Sequence, residues 1–403
     1  MFFIKKLRVF ESFAGIGAVS KALTNLKIDY ELVGFSEIDK YSIKSFCAIH
    51  GVSESLNYGD INKIDETTLP DFDLYTFGSP CQDFSTAGKK KGAIFTCSDC
   101  GEIYNPLLLA SNDRNKCPKC HSENIEKTRS SLVMESLRII KHKKPKYLLM
   151  ENVKGLVDKN HKPDFLRIVD EIQSYGYKTY WKILNAKDFE IPQNRERVFL
   201  IGIREDIEKD FEFPKPIENN IILRDILEDE DEDEVENKYY FKEEIQRRFQ
   251  FAPKKNLSVI GTTKPKHSTS FGQRYLVYNP NSYIGVLTAT DYKQPKQIIV
   301  PKKEILRIAN VSKSGYSTGN VHHINGISPT IMDHHGVGIR ILDMDNFLIR
   351  KLTPKETFRC MGFSDEDYLR VKNLGTSDTQ MYKQTGNSIV VNVLMAIFTQ
   401  LLL

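Results

Sequence analysis

No apolar run in this 403-residue sequence approaches the roughly 20 residues that a membrane-crossing helix needs. The opening residues, MFFIKKLRVF, hold neither a long apolar stretch nor a small-residue cleavage site. Export is therefore not expected, and a cytoplasmic protein is. Tryptophan occurs once, yet hydrophobic residues make up 40% of the chain and charged residues 27%, which excludes global disorder. A dinucleotide G-x-G-x-x-G fingerprint is missing as well. The turn Phe13-Ala14-Gly15-Ile16-Gly17 has no third glycine at the required offset, which counts against a nicotinamide enzyme. The length exceeds one small domain, so two lobes, or one lobe with insertions, are expected.

What is present begins with charge. The net charge of +4 comes from 57 basic and 53 acidic residues. Residues Glu228 to Glu236 place eight carboxylates in nine positions, and the remainder of the chain carries +12 without them. The acidic run reads as a solvated loop, and the basic remainder suits a polyanionic partner.

Four of the seven cysteines form Cys97-x-x-Cys100, a gap of sixteen residues, and Cys117-x-x-Cys120. That spacing belongs to a four-thiolate zinc site whose ligand positions are all filled by protein, so the metal would fold the segment rather than do chemistry. Disulfides do not suit a reducing cytosol.

Along the chain, short apolar strands alternate with helical stretches. Leu7 to Phe10, Glu31 to Ser36, Asp73 to Phe77 and Lys146 to Met150 read as strands. Val19 to Leu26, Tyr41 to His50 and Leu132 to Lys141 read as helices. The alternation predicts an α/β fold, a parallel sheet with helices on both faces, and ligands beyond the carboxyl ends of the strands. Gly15, Glu37, Cys81 and Glu151 all fall just past such ends. From about Phe211 to Asn346 the pattern changes to a Pro-, Ser-, Thr- and Lys-rich stretch, which reads as a second lobe. An apolar helix from Ile389 to Leu403 should dock on the first lobe.

The residues at those strand ends carry chemistry. Glu37 is placed to accept from the ribose hydroxyls of a nucleoside, and Asp60 to accept from an adenine amino group. Cys81, in Gly78-Ser79-Pro80-Cys81-Gln82, stands in a loop, whereas Cys47 reads as a small buried hydrophobe. A thiol of ordinary pKa is a few per cent thiolate at neutral pH, so a nucleophilic Cys81 needs activation or a substrate protonated as it is attacked. Glu151 can be that acid.

Together these segments resemble the DNA (cytosine-5)-methyltransferases, in the family's order and over nearly the whole chain. The glycine turn is similar to the cofactor motif, Gly78 to Gln82 to the Pro-Cys loop, and Glu151-Asn152-Val153 to the Glu-Asn-Val motif. Gln193 to Val198 resembles the Gln-x-Arg-x-Arg motif and Arg350 to Pro354 the Arg-x-Leu-Thr-Pro motif. Gly386-Asn387-Ser388 resembles the C-terminal motif that returns to the cofactor pocket. The resemblance implies an S-adenosylmethionine-dependent methyltransferase sheet of Rossmann-like form, acting on cytosine in duplex DNA through a Cys81–C6 adduct after flipping the base. By the same resemblance Glu151 acts at N3, and Arg197 and Arg195 at the base carbonyl or a nearby phosphate. Phe13, Gly15, Gly17, Glu37, Asp60, Pro80, Leu132, Asn387 and Ser388 would line the cofactor. Leu132 follows Thr128-Arg129-Ser130-Ser131, which resembles a short family motif.

These readings divide the chain into a catalytic domain (1–210), a target recognition domain (211–345) and a returning C-terminal segment (346–403). Lys254, Lys255, Lys264 and Lys266 are phosphate contacts in this scheme. Residues 93–127, with the four cysteines, depart from the family pattern as an insertion. Lys89, Lys90, Lys91, Arg114, Lys116 and Lys119 point to DNA-backbone contacts for it. A monomer is expected, with any cognate restriction endonuclease acting separately. Two rival readings are a tRNA cytosine-5 methyltransferase and a catalytically idle DNA-binding factor on the same scaffold.

Overall fold

The structure is a computed structural model. It describes residues 6–80, 94–110, 113–128, 132–217, 221–228, 235–246, 250–251, 258–263, 275–289, 291–293, 295–301 and 347–403. Cys81, Lys89 to Lys91, Arg129 to Ser131, most of the acidic run and the four lysines from Lys254 to Lys266 lie outside the described residues.

The chain divides into two compact units. The first comprises Met1–Ile221, Gly285–Lys293 and Pro354–Leu403, and the second Ile222–Ile284 and Gln294–Thr353. The first unit takes back Gly285–Lys293, from inside the stretch that the sequence reading assigns to a second lobe.

The first unit is built on β1 (Leu7–Ser12), α1 (Ala18–Asn25), β2 (Tyr30–Ser36), α2 (Lys40–His50) and β3 (Leu74–Phe77). A small inserted sheet follows: β4 (Phe95–Cys97), β5 (Ile103–Tyr104) and β6 (Ile125–Lys127). Then come α3 (Val133–Lys143), β7 (Tyr147–Val153), α4 (Lys162–Ser174), β8 (Tyr177–Asn185) and β9 (Glu196–Arg204). The main sheet runs β2-β1-β3-β7-β9-β8. Asn57 adds a single parallel bridge to Phe35 beyond β2. The expectation of a parallel sheet needs correction at β9, which pairs antiparallel with both β7 and β8. Residues 186–195 join β8 to β9 through a short turn instead of a crossover helix, and such a return is antiparallel.

Strand order reverses between β1 and β3. Right-handed crossovers on either side of that point put α1 and α2 on one face and α3 on the other. Each helix is fixed by its apolar stripe. In α4, Phe165, Ile168, Val169 and Ile172 are buried at helical spacing. The core beneath α3 and α4 includes Phe10, Tyr75, Phe77, Leu148, Met150 and Phe165.

The second unit holds α5 (Glu243–Gln246) and a five-stranded sheet of β10 (Gln250–Phe251), β11 (Val259–Thr262), β12 (Leu276–Tyr278), β13 (Gln297–Pro301) and β14 (Phe347–Lys351), paired in that order. Val277 and Ile299 form its buried centre with Phe241 and Ile260 against them. The chain then closes the first unit with α6 (Pro354–Arg359), α7 (Asp365–Asn373), α8 (Asp378–Asn387) and α9 (Val391–Leu402). Asp378–Leu402 is long and apolar enough to cross a membrane by composition, yet α9 buries Val391, Leu394, Ile397, Phe398 and Leu401 and packs on α1 as a core helix.

Candidate active site

The reversal point between β1 and β3 opens into a cleft lined by Phe13, Gly15, Phe77, Gly78, Asn387 and Ser388 among others. Its floor is the glycine turn. Phe13, Gly15 and Gly17 all have positive φ, at 56°, 57° and 81°. A β-carbon at Gly17 would come within 2.2 Å of the His50 ring nitrogen Nε2, so only glycine admits that ring. Nε2 lies 3.2 Å from the Ile16 carbonyl. Burial pushes His50 down to about 4, so the ring is neutral and its Nε2–H donates to that carbonyl. Nothing lies within 4 Å of a β-carbon built on Gly15, which leaves the backbone open to a ligand.

Glu37 is bound to the same turn. Its Oε2 accepts from Gly15 N at 2.9 Å, and its Oε1 accepts from Ile38 N and Asp39 N at 2.8 and 2.9 Å. An ionised carboxylate offers about four acceptor positions, so these three bonds leave room for one further donor. Asn57, which sequence reading did not single out, fixes the neighbouring backbone by accepting from Glu37 N at 3.0 Å and donating to Glu37 O at 3.1 Å. Ile38 is 74% exposed beside it, an apolar surface that also passed unnoticed. Asp60 caps the short turn Ile61–Lys63 and accepts from Asn62 N at 3.0 Å.

Glu11 is a further buried acid that the sequence did not flag. It lines the cleft, and its Oε1 accepts from Ser20 N at 3.1 Å and from the Ser20 hydroxyl. Burial outweighs those bonds and raises its pKa to about 7.

On the other side of the reversal point, Glu151 near the end of β7 faces Arg197 of β9. Arg197 Nε lies 3.1 Å from Glu151 Oε1, and both side chains are mostly buried. Asn152 donates to the Ser79 carbonyl at 3.2 Å and so fixes the backbone just before Pro80, the last described residue ahead of Cys81.

Gln193 and Arg195 do something else. Gln193 accepts from Leu287 N at 3.1 Å and donates to Cys360 O at 3.0 Å. Arg195, 4% exposed, donates to Leu287 O at 2.8 Å and to Ser388 O at 2.7 Å. The two side chains thus clamp residues 285–293 onto the end of α8. A β-carbon at Gly386 would lie 2.2 Å from the Thr288 carbonyl carbon, so this clamp needs glycine there. Leu132 directly precedes α3 and packs against the core, apart from the residues that line the cleft.

The four cysteines converge. All four Sγ atoms lie within 4.8 Å of one another, with Cys97–Cys120 at 3.6 Å and Cys100–Cys117 at 3.5 Å. Those separations are far longer than a disulfide and close to the roughly 3.8 Å edge of a tetrahedron of sulfurs around Zn²⁺. Two matching knuckles make the site. Gly101 N bonds Cys97 O and His121 N bonds Cys117 O, each at 2.9 Å, with Gly101 and His121 in left-handed backbone. The donor set fits zinc.

Comparison with known proteins agrees with this arrangement. The family model for C-5 cytosine-specific DNA methylases matches residues 7–96 and 119–402, passing over most of the four-cysteine insertion. The chain belongs to that family and is a DNA (cytosine-5)-methyltransferase, a transferase of the kind that uses S-adenosylmethionine on a DNA substrate. It is 37% identical over 445 residues to the orphan methyltransferase M.SPBetaI of Bacillus phage SPbeta, covering 99% of this chain and 98% of that one. It is 32% identical over 448 residues to the type II methyltransferase M2.ScrFI of Lactococcus lactis subsp. cremoris, covering 98% and 99%. Among solved structures, the S. pombe Dnmt2 methyltransferase shares the fold at a TM-score of 0.60 and 17% identity over 98% of each chain.

Proposed function

We propose that this protein methylates C5 of a cytosine flipped out of duplex DNA, through a covalent bond between Cys81 and C6. The Glu151–Arg197 pair carries the reading. On cytosine, N3 and the O2 carbonyl are adjacent, and an acidic group beside a guanidinium matches that edge. Arg197 donates to O2 while Glu151 holds the proton at N3, absorbing charge as the Cys81 thiolate adds to C6. Addition makes C5 electron-rich. S-adenosylmethionine supplies an electrophilic methyl group there. Loss of the C5 proton to solvent water, return of the N3 proton to Glu151 and expulsion of the Cys81 thiolate then restore the aromatic ring. Asn152 positions the backbone that leads into Cys81. Flipping the base costs a few kcal/mol, offset by these contacts.

Phe13, Gly15, Asn387 and Ser388, which line the cleft, would hold the cofactor, and the backbone at Gly15 is open to it. Glu37 has one acceptor position left for a ribose hydroxyl, Asp60 serves the adenine amino group, and Ile38 offers an apolar surface to the purine face. Gly17 and Pro80 shape the surrounding backbone, whereas Leu132 packs against the core and takes no part in the pocket. Arg195 acts by clamping residues 285–293 to Ser388, not by touching the base. The second unit reads the target sequence. Cys97, Cys100, Cys117 and Cys120 would hold a Zn²⁺ that folds the ribbon. The enzyme works as a monomer in the cytoplasm, as an orphan or beside a separate restriction endonuclease.

The test is methyl transfer from labelled S-adenosylmethionine to duplex DNA by the wild type and Cys81→Ser, with 5-fluorocytosine DNA as a covalent trap. Wild type should label and trap, and Cys81→Ser should do neither. Undiminished labelling by Cys81→Ser would overturn the mechanism.

A further inference from the structure

The four-cysteine ribbon is built to grip its own enzyme. Residues 94–128 carry five carboxylates against four cations, and four thiolates around a dication would add two further negative charges. Lys116 and Lys119 lie 3.3 and 3.5 Å from Glu123 and Glu102 within the ribbon. A module of net negative charge gains little from phosphate.

Its inner side is where the specific contacts are. Phe95 is fully buried in the same core as Tyr75 and Leu148 of the main sheet. Arg114, 8% exposed, donates from Nε to Pro106 O at 2.9 Å and from both terminal nitrogens to Glu171 of α4, with Nη1 to Oε1 at 2.8 Å. The Tyr175 hydroxyl donates to the same carboxylate. On α3, Glu135 accepts from Lys127 Nζ at 2.7 Å and from Arg138 Nε at 2.9 Å. Two latches, one per helix, thus hold the ribbon. At its neck Ile94 N donates to Thr128 Oγ1 and Thr128 N to Ile94 O, each at 3.3 Å. Ile94 is the first described residue after Cys81, and Thr128 lies four residues before Leu132.

We propose that the ribbon is a brace for the methyl-transfer site, with Arg114 as its positioning residue, and that it makes no contact on which DNA affinity depends. Locked to α3 and α4, it fixes where the chain returns from Cys81 and where it enters α3. The proposal rests on the methyltransferase reading.

The experiment uses the full-length enzyme in two sets of variants. Arg114→Met and Glu171→Gln break the latch, with Arg114→Lys as the conservative form. Lys116→Glu combined with Lys119→Glu reverses the outward charge. Duplex DNA affinity, kcat, KM, the rate of 5-fluorocytosine trapping and zinc per chain are measured on each. Breaking the latch should lower kcat and the trapping rate by about tenfold or more at unchanged DNA affinity and zinc content, since small misplacements near a reacting group are amplified in rate. Arg114→Lys should recover part of the loss, and the charge reversal should leave affinity within about twofold of wild type. Weakened DNA binding on charge reversal, or latch variants with wild-type kcat, would overturn the brace. If Arg114→Met does not fold, the shape-preserving Glu171→Gln decides by the same readouts. A zinc-free wild type with the same latch dependence would remove the metal reading alone, and a wild type without methyl transfer would remove the methyltransferase reading.

Discussion

Arg197 reaches from β9 to Glu151 on the neighbouring strand β7, its Nε 3.1 Å from Oε1. The antiparallel pairing of these strands sets Arg197 opposite Val153, two residues along from Glu151, a diagonal that long side chains can span. If the pair engages the cytosine edge as proposed, Glu151→Gln and Arg197→Ala should each lower kcat by about 10²- to 10³-fold, the scale of losing one group that stabilises developing charge. S-adenosylmethionine affinity measured calorimetrically should stay near wild type. An equal loss of cofactor affinity would place the pair in the wrong pocket.

Asn152 is expected to matter for position. Asn152→Ala removes the bond to Ser79 O, a buried interaction worth about 1 kcal/mol net. Trapping by 5-fluorocytosine DNA should slow, by roughly tenfold at the most, on the scale that such an energy implies in a rate. Unchanged trapping kinetics would show that the approach to Cys81 is held by other contacts.

Gly386→Ala tests the clamp. The new β-carbon would meet the Thr288 backbone at 2.2 Å, so residues 285–293 or the end of α8 must shift. Overpacking of this kind costs about 1–3 kcal/mol. A lowered melting temperature together with weaker cofactor binding is expected, since Asn387 and Ser388 follow directly. A variant as stable as wild type would mean that residues 285–293 leave α8 without penalty.

Glu11 sets a pH dependence. Its pKa is about 7 when folded against a reference value of 4.5, because burial disfavours its charge. Between those values the folded chain keeps a proton that the unfolded chain releases, so stability falls as pH rises from 4.5 to 7. The effect amounts to about 3 kcal/mol at full development. Glu11→Gln should flatten denaturation midpoints across that window and raise stability above pH 7. A wild-type slope in the variant would assign the titration to another group.

Much of this architecture was legible in the sequence because short apolar strands and amphipathic helical stretches announce themselves locally. β1, β2, β3, β7, α2 and α3 lie close to where the sequence pattern puts them, but β1 runs two residues further, to Ser12, and β7 three further, to Val153, so Glu151 lies within its strand and not past the end. The antiparallel β9 was not legible, since a buried strand has the same composition in either direction. Cysteine spacing announced the ribbon, but which way its charges turn did not follow from spacing. Arg114 reads as one more basic residue until its fork is seen on Glu171, 57 positions away. Glu11 and His50 were likewise silent, because the burial that shifts their protonation is a property of packing. Gln193 and Arg195 were visible as motif members, yet their partners Leu287 and Ser388 come from distant chain segments.

If the second unit reads the target as proposed, the return of residues 285–293 to the first unit bears on how specificity can be engineered. A cassette cut at 222 and 353 to swap target preference between relatives carries that stretch with it. The donor's backbone must then fit under the host's Gln193 and Arg195 and against a host residue without a side chain at 386. Chimeras that keep the host's own 285–293 and exchange the two flanking pieces should therefore fold more often than single-block exchanges.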